Sequence, residues 1–201
     1  MRKDRPSPAQ QGDGDGLCGI YALINFLRNE DFLKEKDQSS TDRECFNFLM
    51  EAAESLGYLT AHNLFGGFVW PKLERAFNLA CETWRAPFLA LPLSVVAENL
   101  KTDRIEDVAA ACVKEGGAIV AHMDKQDHWI LVYDCDEISV WVDDSSVADE
   151  EKNDPANWPN RKIDKNELRR GFGIKTNSGV VLLPTTSKLA RLKNQNRLES
   201  L

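Results

Sequence analysis

The hydrophobic pattern of this chain changes period at Gly116-Gly117. Before that point apolar residues recur at helical spacing. Leu17, Ile20, Leu23, Ile24 and Leu27 predict a helix over 17–29. Phe46, Leu49, Met50 and Ala53 predict a second over 41–56, with Thr41 and Glu44 as its capping box. A third is expected near 70–79 with Pro71 in its first turn, and two more over 92–100 and 104–115. After the glycine pair, Ala118–Met123, His128–Tyr133 and Ile138–Val142 are short and rich in β-branched and aromatic residues. Acidic turns separate them, so they read as consecutive antiparallel strands. Residues 60–68 read as an irregular loop, 81–85 as a short strand, 146–162 as a polar loop, 164–170 as a short helix and 179–183 as a closing strand. Helices first and a sheet second predict an α+β domain over 1–184. Residues 185–201, with Lys188, Arg191, Lys193 and Arg197, read as a basic tail.

The start of the first helix carries the chemistry. The run Gly14-Asp15-Gly16-Leu17-Cys18-Gly19 delivers a thiol to a helix N-terminus, where the helix dipole favours the thiolate. The glycines let the backbone turn closely in front of it. His128 opens a predicted strand, and an imidazole held there can take a proton from a thiol and later protonate a leaving group. Its other ring nitrogen needs an orienting acceptor. Asp143 and Asp144 end the next strand, and an antiparallel hairpin brings them back beside the start of the His128 strand. Successive side chains point to opposite faces, so one of the two serves. Asp144 is preferred, and Asp143 stays open because the parity across the turn at Asp134–Glu137 is not readable. The Cys18 backbone N–H and the amide of Gln11 or Gln10 are candidate donors to a developing oxyanion. His122, the rival base, shows no acid at the right distance in sequence, and His62 sits in a loop without a visible partner.

The segment from Gln11 through Leu17-Cys18-Gly19-Ile20-Tyr21-Ala22-Leu23-Ile24-Asn25, with His128-Trp129 and Asp144-Ser145, resembles the papain-like cysteine peptidases. Bacteriocin-processing peptidases are similar in their Gln…Cys-Gly pattern and in the distance from histidine to aspartate. Josephin-type deubiquitinases are similar in the Leu-Cys…Leu-x-Asn run, and ovarian-tumour deubiquitinases in Asp15-Gly16-x-Cys18. The resemblance implies a papain-like fold, with an N-terminal helical part packed on a C-terminal antiparallel sheet. It implies Cys18 as nucleophile, His128 as base, Asp144 as orienting acid and Gln11 as oxyanion donor. The expected activity is hydrolysis of a peptide or isopeptide bond through a thioester, without cofactor or metal. The expected substrate is a protein or peptide, with ubiquitin-like and double-glycine C-termini among the candidates.

A net charge of -7 argues against nucleic acid or an anionic membrane as partner. No apolar stretch approaches the roughly 20 residues of a membrane span. Cys18, Cys45, Cys81, Cys112 and Cys135 are odd in number and form no CxxC pair, which suits a reduced, cytoplasmic setting. His122 and His128 have the wrong spacing for a zinc pair. The Gly12-Asp13-Gly14-Asp15-Gly16 run lacks the closing acid of a calcium loop and the lysine of a phosphate loop. Two other functions remain open on the same residues: a glutamine deamidase or transglutaminase-like enzyme, and a peptide-binding module without catalysis.

Overall fold

The computed structural model describes residues 17–30, 38–125, 127–144 and 160–192. The expected class is present: an α+β fold built on a six-stranded sheet, every paired ladder of which is antiparallel. The helices are α1 (Cys18–Asn29), α2 (Gln38–Ser55), α3 (Ala61–Gly66), α4 (Trp70–Trp84), α5 (Leu93–Leu100), α6 (Ile105–Lys114) and α7 (Lys165–Arg170). The strands are β1 (Phe88–Pro92), β2 (Ala118–Met123), β3 (His128–Cys135), β4 (Ser139–Asp144), β5 (Asn160–Asp164) and β6 (Gly179–Pro184). Their order across the sheet is β1-β6-β2-β3-β4-β5.

Side-chain alternation assigns each strand residue to one of two cores. Ala118, Val120, Trp129, Leu131, Val180 and Leu182 join the core beneath α1, α2 and α4. Ile119, Ala121, Ile130, Val132, Val181 and Leu183 join a second core with α5, α6 and α7. Both faces are covered, which is why these strands are nearly continuous in apolar residues. Helix α1 is buried on almost all sides: Ile20, Leu23, Ile24 and Leu27 are enclosed as the periodicity predicts, and so are Ala22 and Phe26. Gly19 permits this packing, since a Cβ there would lie 2.7 Å from Leu73 Cδ1 of α4. The glycine pair that ends α6 acts as expected. Gly116 takes φ +77, and the amides of Gly116 and Gly117 bond back to the carbonyls of Val113 and Cys112.

Several local expectations are corrected. Helix α2 begins at Gln38, so Thr41 lies inside it and is not its cap. Residues 61–66 form α3, closed at its start by the Thr60 hydroxyl accepting from the Asn63 amide at 3.3 Å. The expected strand at 81–85 belongs to α4, which continues to Trp84, and the true strand is Phe88–Pro92. That strand sits at the sheet edge beyond β6, so the helical and sheet halves are interleaved and not consecutive in the chain. Residues 160–162, the end of the loop expected over 146–162, belong to β5, and 145–159 lie outside the described residues. The packed core also runs past the expected boundary at 184, because Ala190 and Leu192 are buried in the second core.

The outer edge of β1 is closed by a side chain. Asn78 of α4 accepts from the Ala90 amide at 2.8 Å and donates to the Ala90 carbonyl at 3.0 Å, taking the place of a neighbouring strand. Asn78→Ala removes both partners from a buried backbone position. The expected loss is about 2 kcal/mol of stability, read as a lower urea midpoint with an unchanged slope.

Candidate active site

Cys18 is the first residue of α1, and Leu17 at the N-cap has no polar side chain to occupy the first-turn amides. The burial that fixes α1 against β3 therefore also fixes the position of the sulfur. His128 is the first residue of β3, and β4 returns beside it. In this ladder Ile130 stands opposite Asp144, and Leu131 opposite Asp143. His128 lies two residues before Ile130, so it shares a face with Asp144, while Asp143 takes the face of Leu131. The register decides what the sequence left open: Asp144 meets the histidine, with Nε2 and Oδ1 2.8 Å apart.

Standing at the end of its strand, the His128 ring shares a cleft with Cys18, near enough for the thiol to act on the ring's charge. Nε2 is engaged by Asp144, which leaves Nδ1 as the ring nitrogen for the sulfur. The side chains of His128 and Asp144 are both largely buried. Burial opposes a charge on the ring, but the hydrogen bond to Asp144, the nearby Cys18 and the charges of both prevail, raising the His128 pKa to about 9.

Asp143 does a different job. It is buried and faces the Arg28 guanidinium of α1. Arg28 also contacts Asp42 of α2, Nε to Oδ1 at 2.6 Å, and Asn25 Oδ1 at 3.4 Å. Burial lowers the Arg28 pKa, opposed by the charges of Asp42 and Asp143. These contacts tie the helix, its neighbour and the strand together away from the sulfur.

Cys18 and His128 line one cleft of about 480 Å³. One wall is the segment Phe65–Trp70, which joins α3 to α4. The other carries His122, Asp127, Trp129 and Ser178. Phe65 is 74% exposed and Val69 54%, so the first wall presents apolar surface to solvent. Gly66 and Gly67 lie in this first wall. The remaining cysteines differ from Cys18 in setting. Burial pushes the Cys45 thiol up to about 12, and Cys81 and Cys112 are buried within helices.

Gln11 and the glycine run before Leu17 lie outside the described residues. His62 is exposed on α3. His122 is the residue that sequence spacing undervalued. It shares the cleft with Cys18, and it does have acids: Nδ1 lies 3.4 Å from Asp124 Oδ1 and Nε2 3.0 Å from Asp127 Oδ1. The signal was the tight β2–β3 turn, which folds residues two and five positions on back to the ring. Among the described residues no group of three or more His, Cys, Asp or Glu side chains is placed to hold a metal ion. No described helix is long and apolar enough to cross a membrane.

Compared with known proteins, the chain matches no family model and no curated sequence.

The raised His128 pKa sets a pH dependence of folding. A histidine bound more tightly as its cation in the folded state stabilises most below its unfolded value of about 6.5. That contribution is lost as pH rises through about 9. Urea unfolding between pH 6 and pH 10 should show wild type losing stability over this window relative to His128→Gln.

Proposed function

We propose that this protein is a cysteine peptidase of the papain-like kind, cleaving a peptide or isopeptide bond through a thioester. The observation that carries the reading is the row of side chains at one cleft: Cys18 beside His128, and His128 bonded to Asp144 at 2.8 Å. Cys18 and His128 are 110 residues apart in sequence and come from a helix tip and a strand end, the arrangement a nucleophile and its base require. The resemblance of the Cys18, His128 and Asp144 segments to the papain-like peptidases points the same way.

The chemistry follows from the positions. The sulfur of Cys18 is the attacking group, and its proton passes to the His128 ring, whose cation Asp144 favours. It adds to the substrate carbonyl carbon, and the carbonyl oxygen takes the negative charge. The Cys18 amide at the helix N-terminus is a donor for that oxygen, and Gln11 is the candidate second donor. His128 passes its proton to the departing amine as the C–N bond breaks, leaving an acyl group on Cys18. Water then gives a proton to His128, adds to the thioester, and releases a carboxylate and the free enzyme. The substrate is an extended polypeptide lying between the Phe65–Trp70 wall and the β2–β3 turn. Tails with double-glycine or ubiquitin-like ends are among the candidate substrates. The protein is expected to work in a reducing compartment such as the cytoplasm, since the sulfur must stay unoxidised.

An electrophilic peptide probe followed by mass spectrometry tests the assignment. The expected result is modification at Cys18, none at the buried Cys45 or Cys112, and slowing of about a hundredfold or more in His128→Ala. Asp144→Ala should slow labelling and peptide cleavage less than His128→Ala does. Labelling of Cys18 at the same rate with and without His128 would overturn the reading. Release of ammonia from a glutamine substrate, with the chain intact, would redirect it to deamidation.

A further inference from the structure

We propose that His122 is a positioning residue for His128: by hydrogen-bonding Asp124 and Asp127 it fixes the β2–β3 turn from which His128 projects. For catalysis this rests on the peptidase reading, but the geometry that supports it is independent.

The turn between β2 and β3 is short and strained where it matters. Asp127, the residue before His128, has φ +49, in the left-handed region that side-chain-bearing residues rarely adopt. Aspartate tolerates it better than most, but its carboxylate is 97% exposed and nothing in the core packs on it. What holds it is Nε2 of His122 at 3.0 Å. The opposite ring nitrogen faces Asp124 at 3.4 Å, and the other oxygen of Asp124 meets Lys175 Nζ at 2.5 Å. The His122 ring also lies against Trp129, with centroids 5.0 Å apart. The far side of the turn is anchored as well, because the Lys125 ammonium donates to the Arg170 carbonyl. His122 thus stands at the middle of a chain of contacts from Lys175 through Asp124 to Asp127, one peptide bond from His128.

The functional consequence lies in the double duty of His128. Its ring must meet Asp144 with one nitrogen and Cys18 with the other, and a displacement of a few tenths of an ångström in its backbone degrades both contacts. Exposed ion pairs of this sort contribute little to global stability. Loss of His122 is therefore expected to appear in the placement of His128 and not in the folding midpoint.

The test compares His122→Ala, Asp127→Ala and Asp127→Asn with wild type, using two readouts. The first is the titration of the His128 ring by nitrogen-15 NMR, which requires no substrate. Wild type should titrate at about 9, and His122→Ala and Asp127→Ala should fall toward the ordinary histidine range. The second is peptide cleavage, in which both alanine variants should lose about tenfold in kcat with KM changed less than about twofold. Asp127→Asn keeps an acceptor for Nε2 and a side chain suited to left-handed backbone, so it should recover most of the Asp127→Ala loss on both readouts. An unchanged His128 titration in His122→Ala and Asp127→Ala would overturn the proposal. So would a rise in KM with kcat intact, which would make His122 a substrate contact. Absence of cleavage by wild type would sink the peptidase reading, while the NMR titration would still decide the positioning role. Should His122→Ala fail to fold, the exposed Asp127 pair carries the comparison alone.

Discussion

The docking of α1 against β3 is the constraint on which the rest of the molecule depends. A helix enclosed on nearly every side cannot slide or rotate without opening cavities, since protein interiors are packed to crystal-like density. Ile20, Leu23, Ile24 and Phe26 hold it from the sheet and from α2 and α4, and Gly19 lets α4 come close enough to seal it. A sulfur on the first residue of such a helix is held by the core itself. Its partner histidine starts the strand that the helix covers, so one set of apolar contacts places both groups.

Two adjacent aspartates show how a sheet separates tasks. Asp144 points to the His128 side and holds the ring at 2.8 Å. Asp143, one residue earlier, is turned to the other face, where its charge meets Arg28. The same strand end thus orients the histidine on one face and secures α1 on the other. Two buried carboxylates side by side would be costly if both looked into one pocket. Alternation assigns each its own cationic partner.

Much of this was legible in the chain. The apolar spacing from Leu17 to Leu27 marked α1, the glycine pair at 116 and 117 marked the end of α6, and the β-branched runs marked β2, β3 and β4. What went unread has specific causes. Strand β1, Phe-Leu-Ala-Leu-Pro, is too short and too apolar for its period to distinguish it from helix, and only its pairing with β6 makes it a strand. Thr41 and Glu44 form a sound capping pattern, but the helix begins earlier, at Gln38, so a local signal was overridden. Spacing along the chain shows no acid for His122, whereas the hairpin turn brings Asp124 and Asp127 to its ring through space.

Residue identity and order alone determined that a thiol would stand at the head of an apolar helix and that a histidine and an acid would occupy strand ends. Those features are local, and helix periodicity, strand alternation and turn chemistry encode them within a few residues. The tertiary structure decided which aspartate meets the histidine, that the sulfur and the imidazole share one cleft, and that His122 reaches two carboxylates. Each of these depends on register and on contacts between segments far apart in the chain. A shift of one residue in pairing would exchange the faces of Asp143 and Asp144 while leaving every local pattern as it was.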